Sequence, residues 1–483
     1  MAASDIYPSS NATTDSFSTH RTFSSSGALP YSTHHEEPTF KIVIVGAGIG
    51  GLMLGHCLER AGIDYVILER HQKQQFTQNI VQLTSKTLHA LEQLGLLDEI
   101  MRISKPMSFI NLRKQNMSFI GRLDFRYTKE RYGYYAHIVK RAELCKILAS
   151  RMRQGRIEWG RYVLEVVSGN AGVQCRCTNG YVVQGDIIVG ADGAYSAVRQ
   201  NLYRTLKTKG NLPKADMEDL KFTQNAITGI TNPVDLTQYP DVGNEFGEAN
   251  IVIGKESPHT LWISAVSENR ISWTVTGPLI TSNGSVENVM VSEFGPEEAE
   301  NACRLIKDLK VPFGGTVADL IANTPKDCLM KYLVLEKYYK TWHHGRTVLI
   351  GEACHKFPSF AGQGAEQAIL DAICLVNLLT KIQAPYLLRD INAAFESYHE
   401  QRQPIIETAR YKGQVAALVN SQGWSAEMKR KVVFNLPVWV QAHSTDKTLV
   451  NPLLDFLPPI QSRGLKSVRS FSSSRSVHSA QSV

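Results

Sequence analysis

Apolar positions change their period several times along the chain, and each change marks an element. Ile42 to Val45 is an unbroken run rich in β-branched residues, the pattern of a strand buried on both faces, and it stops at Gly46. Leu52, Leu54, Cys57 and Leu58 then recur at helical spacing until Gly62, and Tyr65 to Leu68 make a second strand that ends at Glu69. Leu88, Leu91 and Leu94 predict a helix that breaks at Gly95, Phe109 to Tyr127 alternates as strands do, and Lys140 to Met152 returns to helical spacing. Tyr162 to Val167, Val173 to Thr178 and Tyr181 to Val189 read as three strands. The last two are joined by Asn179-Gly180, a dipeptide suited to a tight hairpin.

From Leu220 to Pro278 strand-like runs alternate with Gly and Pro, and helices are predicted over 297–309 and 317–323. Arg346 to Ile350 is one more buried strand. A long helix follows from Gly364 to Lys381, with Ala365, Ala368, Ile369 and Ala372 facing inward, and two more are expected over 390–415 and 426–433. The whole pattern predicts an α/β fold: a Rossmann-like parallel sheet with helices, a mostly antiparallel sheet that covers a substrate, and C-terminal helices.

The first unit carries chemistry. Gly46, Gly48 and Gly51 spell G-x-G-x-x-G between a strand and a helix. Gly46 allows the sharp turn, Gly48 lets the backbone approach a pyrophosphate, and Gly51 lets the helix sit close on the sheet. The helix N-terminus then faces the phosphates with unpaired N–H groups, and Glu69 stands where a ribose diol is held. Strand, turn, helix, second strand and terminal acid in that order indicate dinucleotide binding.

Composition narrows the picture. At 483 residues there is room for two or three domains with filled cores. The net charge of +7 lies partly in the tails, where Arg, Lys and His stand among Ser, and the core sequence has no basic stripe interleaved with aromatics. Nucleic-acid binding is therefore not expected, while contact with an anionic membrane surface stays open. The eight cysteines have no C-x-x-C pair, and Cys175 and Cys177 alone share a strand face; free thiols in a reducing compartment, an intracellular and cytoplasmic protein, are the expectation. No His/Cys/Asp cluster has the spacing of a metal site. No apolar run is long enough to cross a membrane. Residues 1–38 and 456–483, rich in Ser, are expected to be disordered tails, although Arg21 and the many hydroxyls near the start also suit an organelle presequence.

Three stretches together carry a resemblance: the G-x-G-x-x-G unit ending in Glu69, the G-A-D-G of Gly190 to Gly193, and the segment from Gly351 to Asp371. They resemble the fingerprints of the class A FAD-dependent monooxygenases of the para-hydroxybenzoate hydroxylase type. The resemblance spans about Phe40 to Pro404, and within the family the chain looks closest to fungal members of the kind that epoxidise or hydroxylate terpenoid intermediates.

The resemblance implies FAD as cofactor, NADPH or NADH as co-substrate, dioxygen, and a flavin hydroperoxide that passes one oxygen atom to an aromatic or terpenoid-like small molecule. It implies that Gly46, Gly48 and Gly51 cradle the pyrophosphate, that Glu69 holds the ribose, and that Arg141 contacts the phosphate side. Gln82 stands where the family has glycine and would touch FAD through its main chain. Asp192 and Gly193 match the motif that links FAD to nicotinamide binding. Glu352 replaces the family's aspartate on the ribityl chain, and Gly362, Gly364 and Ala365 would face the flavin ring. The family's proline would fall at Ser359, whereas this chain has Pro358, so the loop over the flavin is expected to differ. Phe222, Trp262 and Trp273 are placed either to line a substrate pocket or to fill a core. The resemblance identifies no catalytic acid or base. His355, after the Glu352 turn, is placed to sit near the flavin, although satisfaction by backbone contacts is the stronger expectation for a loop histidine.

The implied division is an FAD-binding domain over 39–215 and 336–385, a substrate-binding sheet over 216–335, and a C-terminal helical region over 386–455. Oligomeric state is not read from the sequence. The competing reading is an FAD-binding flavoprotein that has lost turnover and serves as a binding or regulatory module; a flavin halogenase is disfavoured because its W-x-W-x-I-P signature is missing.

Overall fold

A computed structural model describes residues 40–74, 79–254, 259–278, 293–294, 296–417, 423–461 and 463–466. The N-terminal tail expected over 1–38 and residues 467–483 lie outside the described residues.

The strand Lys41–Val45, the helix Ile49–Ala61 and the strand Asp64–Glu69 form the expected unit, with the two strands paired in parallel. They centre a six-stranded sheet ordered His343–His344, Thr347–Leu349, Ile187–Gly190, Lys41–Val45, Asp64–Glu69, Ile157–Trp159, parallel except at its first edge. Crossover order decides who sits beside whom. Because Ile187–Gly190 lies between the first strand and Thr347–Leu349, the turns that follow all three open at one end of the sheet. The helix Gly364–Leu379 packs across Ile49–Ala61, where a Cβ on Gly50 would lie 3.4 Å from the Ala368 Cβ.

The predicted strand Tyr181 to Val189 is two. Val182–Gly185 belongs to a three-stranded antiparallel sheet and Ile187–Gly190 to the parallel one. Asp186 divides them, exchanging bonds with Lys41: its N–H donates to the Lys41 carbonyl at 2.7 Å and its carboxylate accepts from the Lys41 N–H at 2.7 Å. The hairpin at Asn179-Gly180 is as expected, both residues having positive φ, 63° and 71°.

The second large sheet has eleven strands and is mostly antiparallel. It is not confined to 216–335: Ile80–Leu83, Ser104–Lys114 and Ala136–Lys140 join it, and Ser104–Lys114 pairs in parallel with Gly247–Ile253. The pairing ties the two halves of the chain together, so Pro38–Val483 is one compact unit. The helix Leu388–Ala417 carries Pro404, and beyond it lie Trp424–Phe434 and Val438–Thr448, the last absent from the sequence expectation. Within the tail expected to be disordered, the Leu465 and Lys466 N–H groups donate to the Glu130 and Arg131 carbonyls at 3.1 and 3.0 Å, and Arg463 pairs with Glu92.

Candidate functional site

Gly46 has a φ of +105°, and a Cβ there would lie 2.5 Å from the Ala191 carbonyl oxygen. A Cβ on Gly51 would lie 2.0 Å from the Gly46 oxygen. Strand end, helix start and the neighbouring strand therefore meet backbone to backbone. Gly48 differs, because nothing lies within 4 Å of where its Cβ would be. The helix that follows has no side-chain cap, so its first N–H groups have no intrahelical partner and face that opening. Glu69 closes the far side: its Oε2 accepts from the Ala47 N–H at 2.8 Å, and its Oε1 lies 2.7 Å from His71 Nδ1.

The Asp-Gly turn sits against this loop through Ala191. Asp192 Oδ2 accepts from the N–H groups of Ala197 and Val198 at 2.7 and 3.2 Å, capping the helix Ala197–Thr208 together with Ser196. Its Oδ1 is buried with no hydrogen-bond partner. Burial pushes the carboxyl of Asp192 up, against the pull of those donors. Gly193 has a φ of +80° and open space beside it. Arg199 ties this helix to the third motif, donating to the Ala353 and Ala194 carbonyls at 2.9 and 2.6 Å.

The third motif brings four more of the expected residues together. A Cβ on Gly364 would lie 3.5 Å from Glu352 Oε1, and one on Gly362 would lie 3.6 Å from Gln82 Oε1. Lys356 Nζ lies 2.6 Å from Glu352 Oε1. Burial works against the Glu352 charge, but Lys356, Arg141 and His355 outweigh it and hold the carboxyl below its ordinary range. Arg141 begins the helix Arg141–Ser150. The helix Gly364–Leu379 has no side-chain cap either, so the N–H groups at Gly364 and Ala365 are free of helical partners. Glu366, inside its first turn, holds Thr84 and Lys86, with Lys86 Nζ 2.9 Å away.

Beneath the Glu352 turn lies a network the sequence reading missed. Asp371 Oδ2 accepts from the Gly351 N–H at 2.8 Å and lies 2.7 Å from His355 Nε2, while Oδ1 accepts from Arg402 Nε at 2.7 Å. Both Asp371 and Arg402 side chains are 0% exposed. Burial opposes the Asp371 charge, and His355 and Arg402 more than offset it, so the carboxyl is held low. His355 is thus held by a carboxylate, and the expectation of backbone contacts does not hold for it. The signal was present: an aspartate inside the apolar helix AILDAICLVNLL needs a cationic partner. Cys354, His355 and Asp371 have the spacing of a cation site, but both Asp371 oxygens are engaged and the Arg402 guanidinium already supplies the positive charge.

The loop before Gly362 turns toward the large sheet. Phe360 stacks on Trp262 with ring centroids 5.9 Å apart, and Tyr332 donates to Ser359 Oγ at 3.1 Å. Trp273 is fully buried and donates to Thr324 Oγ1 at 3.0 Å, as a core residue does. A groove of about 490 Å³ between Leu378 and Ser397 shares no residue with these motifs.

The arrangement fits a long dinucleotide: an open glycine for close backbone approach, two uncapped helix starts for anionic groups, and carboxylates at Glu69 and Glu352 for hydroxyls. The family described as "FAD binding domain" matches residues 39–411. The chain is 26% identical to the FAD-dependent monooxygenase dpasE of Apiospora sacchari over 443 residues, 87% of this chain and 88% of that protein. It is 28% identical to the FAD-dependent monooxygenase pyr5 of Aspergillus fumigatus over 355 residues, 70% of this chain and 71% of that protein. Among solved structures, Klebsiella pneumoniae HpxO complexed with FAD and uric acid has the same fold, with a TM-score of 0.67 at 18% identity, over 85% of this chain and 96% of that one.

Proposed function

Because the chain belongs to the FAD binding domain family, with FAD as its cofactor, we propose that it uses NADPH or NADH and dioxygen to hydroxylate or epoxidise an aromatic or terpenoid-like small molecule. The observation that carries this reading is the meeting of Glu352 with Gly364 and of Gln82 with Gly362, at the start of the helix that packs across Ile49–Ala61. When bound, FAD would supply the activation of dioxygen, with NADPH or NADH as the two-electron source, one oxygen atom entering the substrate and the other leaving as water.

The chain's own residues bind, orient and exclude water. The helix start after Gly46, Gly48 and Gly51 balances pyrophosphate charge, Glu69 accepts from ribose hydroxyls, and Arg141 serves the phosphate side. Gln82 contributes its main chain. Asp192 and Gly193 would serve the nicotinamide side, where the buried Oδ1 of Asp192, which has no hydrogen-bond partner, is suited to accept. Glu352, kept charged by Lys356 and Arg141, accepts from the ribityl hydroxyls. Gly364 and Ala365 would present N–H groups to the ring, while the Gly362 N–H is held by the Ser359 carbonyl at 3.3 Å, so Gly362 would serve there as the turn itself. Trp262 and Phe360 form an apolar wall that keeps water from the reacting carbon.

Glu352 in place of aspartate, and its tie to Lys356, favour a second reading: FAD is bound but not turned over. Flavin absorbance of the purified chain, NADPH and NADH oxidation in air, peroxide release and product formation with a terpenoid and aromatic panel separate the two. Nicotinamide oxidation with oxygen insertion is the expected result. Bound FAD without nicotinamide oxidation, with every panel member, would leave only the binding module.

A further inference from the structure

The C-terminal helices turn an apolar face outward. Helix Trp424–Phe434 buries Ala426, Arg430 and Phe434. Its other stripe, Trp424, Met428 and Val432, is 78%, 44% and 60% exposed. Each stripe has a spacing of four residues, and the two are offset by two positions, about 200° around the helix, so the exposed one points away from the fold. Helix Val438–Thr448 opens with Val438 and Trp439, the latter 73% exposed, and the adjoining strand Phe119–Asp124 adds the exposed Phe119. The three elements are tied together: Asn435 Nδ2 donates to the Ile120 carbonyl at 2.9 Å, and Gln441 Oε1 accepts from the Asp124 N–H at 3.1 Å.

The charge around this face is mostly basic. Among the described residues 423–461 and 463–466, six Lys or Arg stand against three Asp or Glu. All three acids are engaged: Glu427 with Lys114 and Lys431 at 3.5 and 3.8 Å, Asp446 with Arg131, and Asp455 with Lys381 at 3.5 Å. Lys429 and Lys431 are exposed beside the apolar stripe.

We propose that the face formed by Trp424, Met428, Val432, Val438 and Trp439 docks on the surface of an anionic lipid bilayer. Apolar side chains flanked by lysines and bordered by tryptophans match the boundary between headgroups and acyl chains. Among the described residues no helix is long and apolar enough to cross a membrane, so the chain lies on the bilayer through this face. A second copy of the chain is the poorer occupant, because pairing two such faces would bring Lys429 and Lys431 toward their own copies with no free acid opposite. The buried side of the same helix leads inward: Phe434 packs with Leu112, Ile251 and Ile253, beside Trp262, which stacks on Phe360 two positions before Gly362. An apolar substrate dissolved in the bilayer would meet the helix on one side and the site on the other. That last step rests on the monooxygenase reading; the docking does not.

The test uses the purified full-length protein, sedimented with phosphatidylcholine vesicles with and without about a third phosphatidylserine. Binding to the anionic vesicles, weakened by salt, is expected. The triple variant Trp424→Ser, Met428→Ser, Val432→Ser should bind at least about tenfold more weakly, and Lys429→Glu with Lys431→Glu about fivefold or more per charge. Both should keep the parent's flavin content and melting temperature, since the altered side chains are exposed. The proposal fails if the parent ignores both vesicles or if the variants bind as the parent does. It also fails if removing 467–483 abolishes binding with the stripe intact, or if the triple variant only turns a dimer into a monomer by light scattering. Vesicle binding without any nicotinamide oxidation would sink the catalytic reading and leave the docking in place.

Discussion

The turn at Gly46 to Gly51 is held by shape, since a single added carbon at Gly46 or Gly51 would run into backbone within 2.5 Å. The turn from Gly351 to Gly364 is held by charge, its first N–H bonded to a carboxylate that is itself clamped by His355 and Arg402. Both present uncapped helix starts to one region. The difference lies in what each can lose. A shape-held turn tolerates no added volume at Gly46 or Gly51 and needs no counter-charge, whereas a charge-held turn depends on ionised residues 20 and 51 positions away and fails if either charge is left alone.

The largest effect is therefore expected at Asp371. Asp371→Ala strands a fully buried Arg402 and frees the Gly351 N–H, and denaturant unfolding should show a loss of about 3–5 kcal/mol. A loss under about 1 kcal/mol would mean that the second turn, too, is held by shape. Next comes Gly51→Ala. Its methyl would meet the Gly46 carbonyl, a contact that cannot relax without moving the strand end, so about 3 kcal/mol of stability should go together with the flavin absorbance. Gly48→Ala sharpens the contrast on the same loop. With nothing near the new methyl, stability should stay within about 0.5 kcal/mol, while flavin affinity, read by fluorescence titration, falls about tenfold because the pyrophosphate needs that space. Unchanged affinity would show that the cofactor does not pass Gly48.

The same contrast explains what could be read from the sequence. The first turn was legible because its constraints are local: three glycines, the strand before them and Glu69 lie within thirty residues and announce their geometry by residue type. The Asn179-Gly180 hairpin was legible for the same reason. The Asp371 network was not, because Gly351, His355, Asp371 and Arg402 meet only once the helix Leu388–Ala417 has packed on Gly364–Leu379. The split at Asp186 was hidden likewise, being fixed by a pairing with Lys41, 145 positions earlier. The strands at 80–140 alternate as the second sheet requires, yet nothing in their own pattern says which sheet they join. Resemblance supplied the residues proposed to hold the cofactor, and the geometry gave Asp192 a capping duty that the motif alone did not reveal.

The smallest effect tests whether pairing or burial makes the second turn costly to break. Asp446 is also held by an arginine: Arg131 Nε donates to its Oδ1 at 2.8 Å, and Tyr132 donates to the same oxygen at 2.8 Å. The Arg131 hydrogen bonds are the largest cause that brings its carboxyl down to about 2, from an ordinary value of 3.8. A carboxyl depressed in the folded state adds stability that is fully present above its unfolded value and is lost as pH falls through the folded one. The Asp446 contribution should thus be complete above about pH 4 and gone near pH 2. Water reaches this pair, so screening limits the contribution to about 1 kcal/mol, well below the Asp371 effect. Asp446→Asn should be less stable than the parent by that amount at neutral pH, and the gap should close in melts taken stepwise from pH 4 to pH 2. If the gap matched that of Asp371→Ala, partner chemistry and not burial would set the cost, and the distinction between the turns would rest on ion pairing alone.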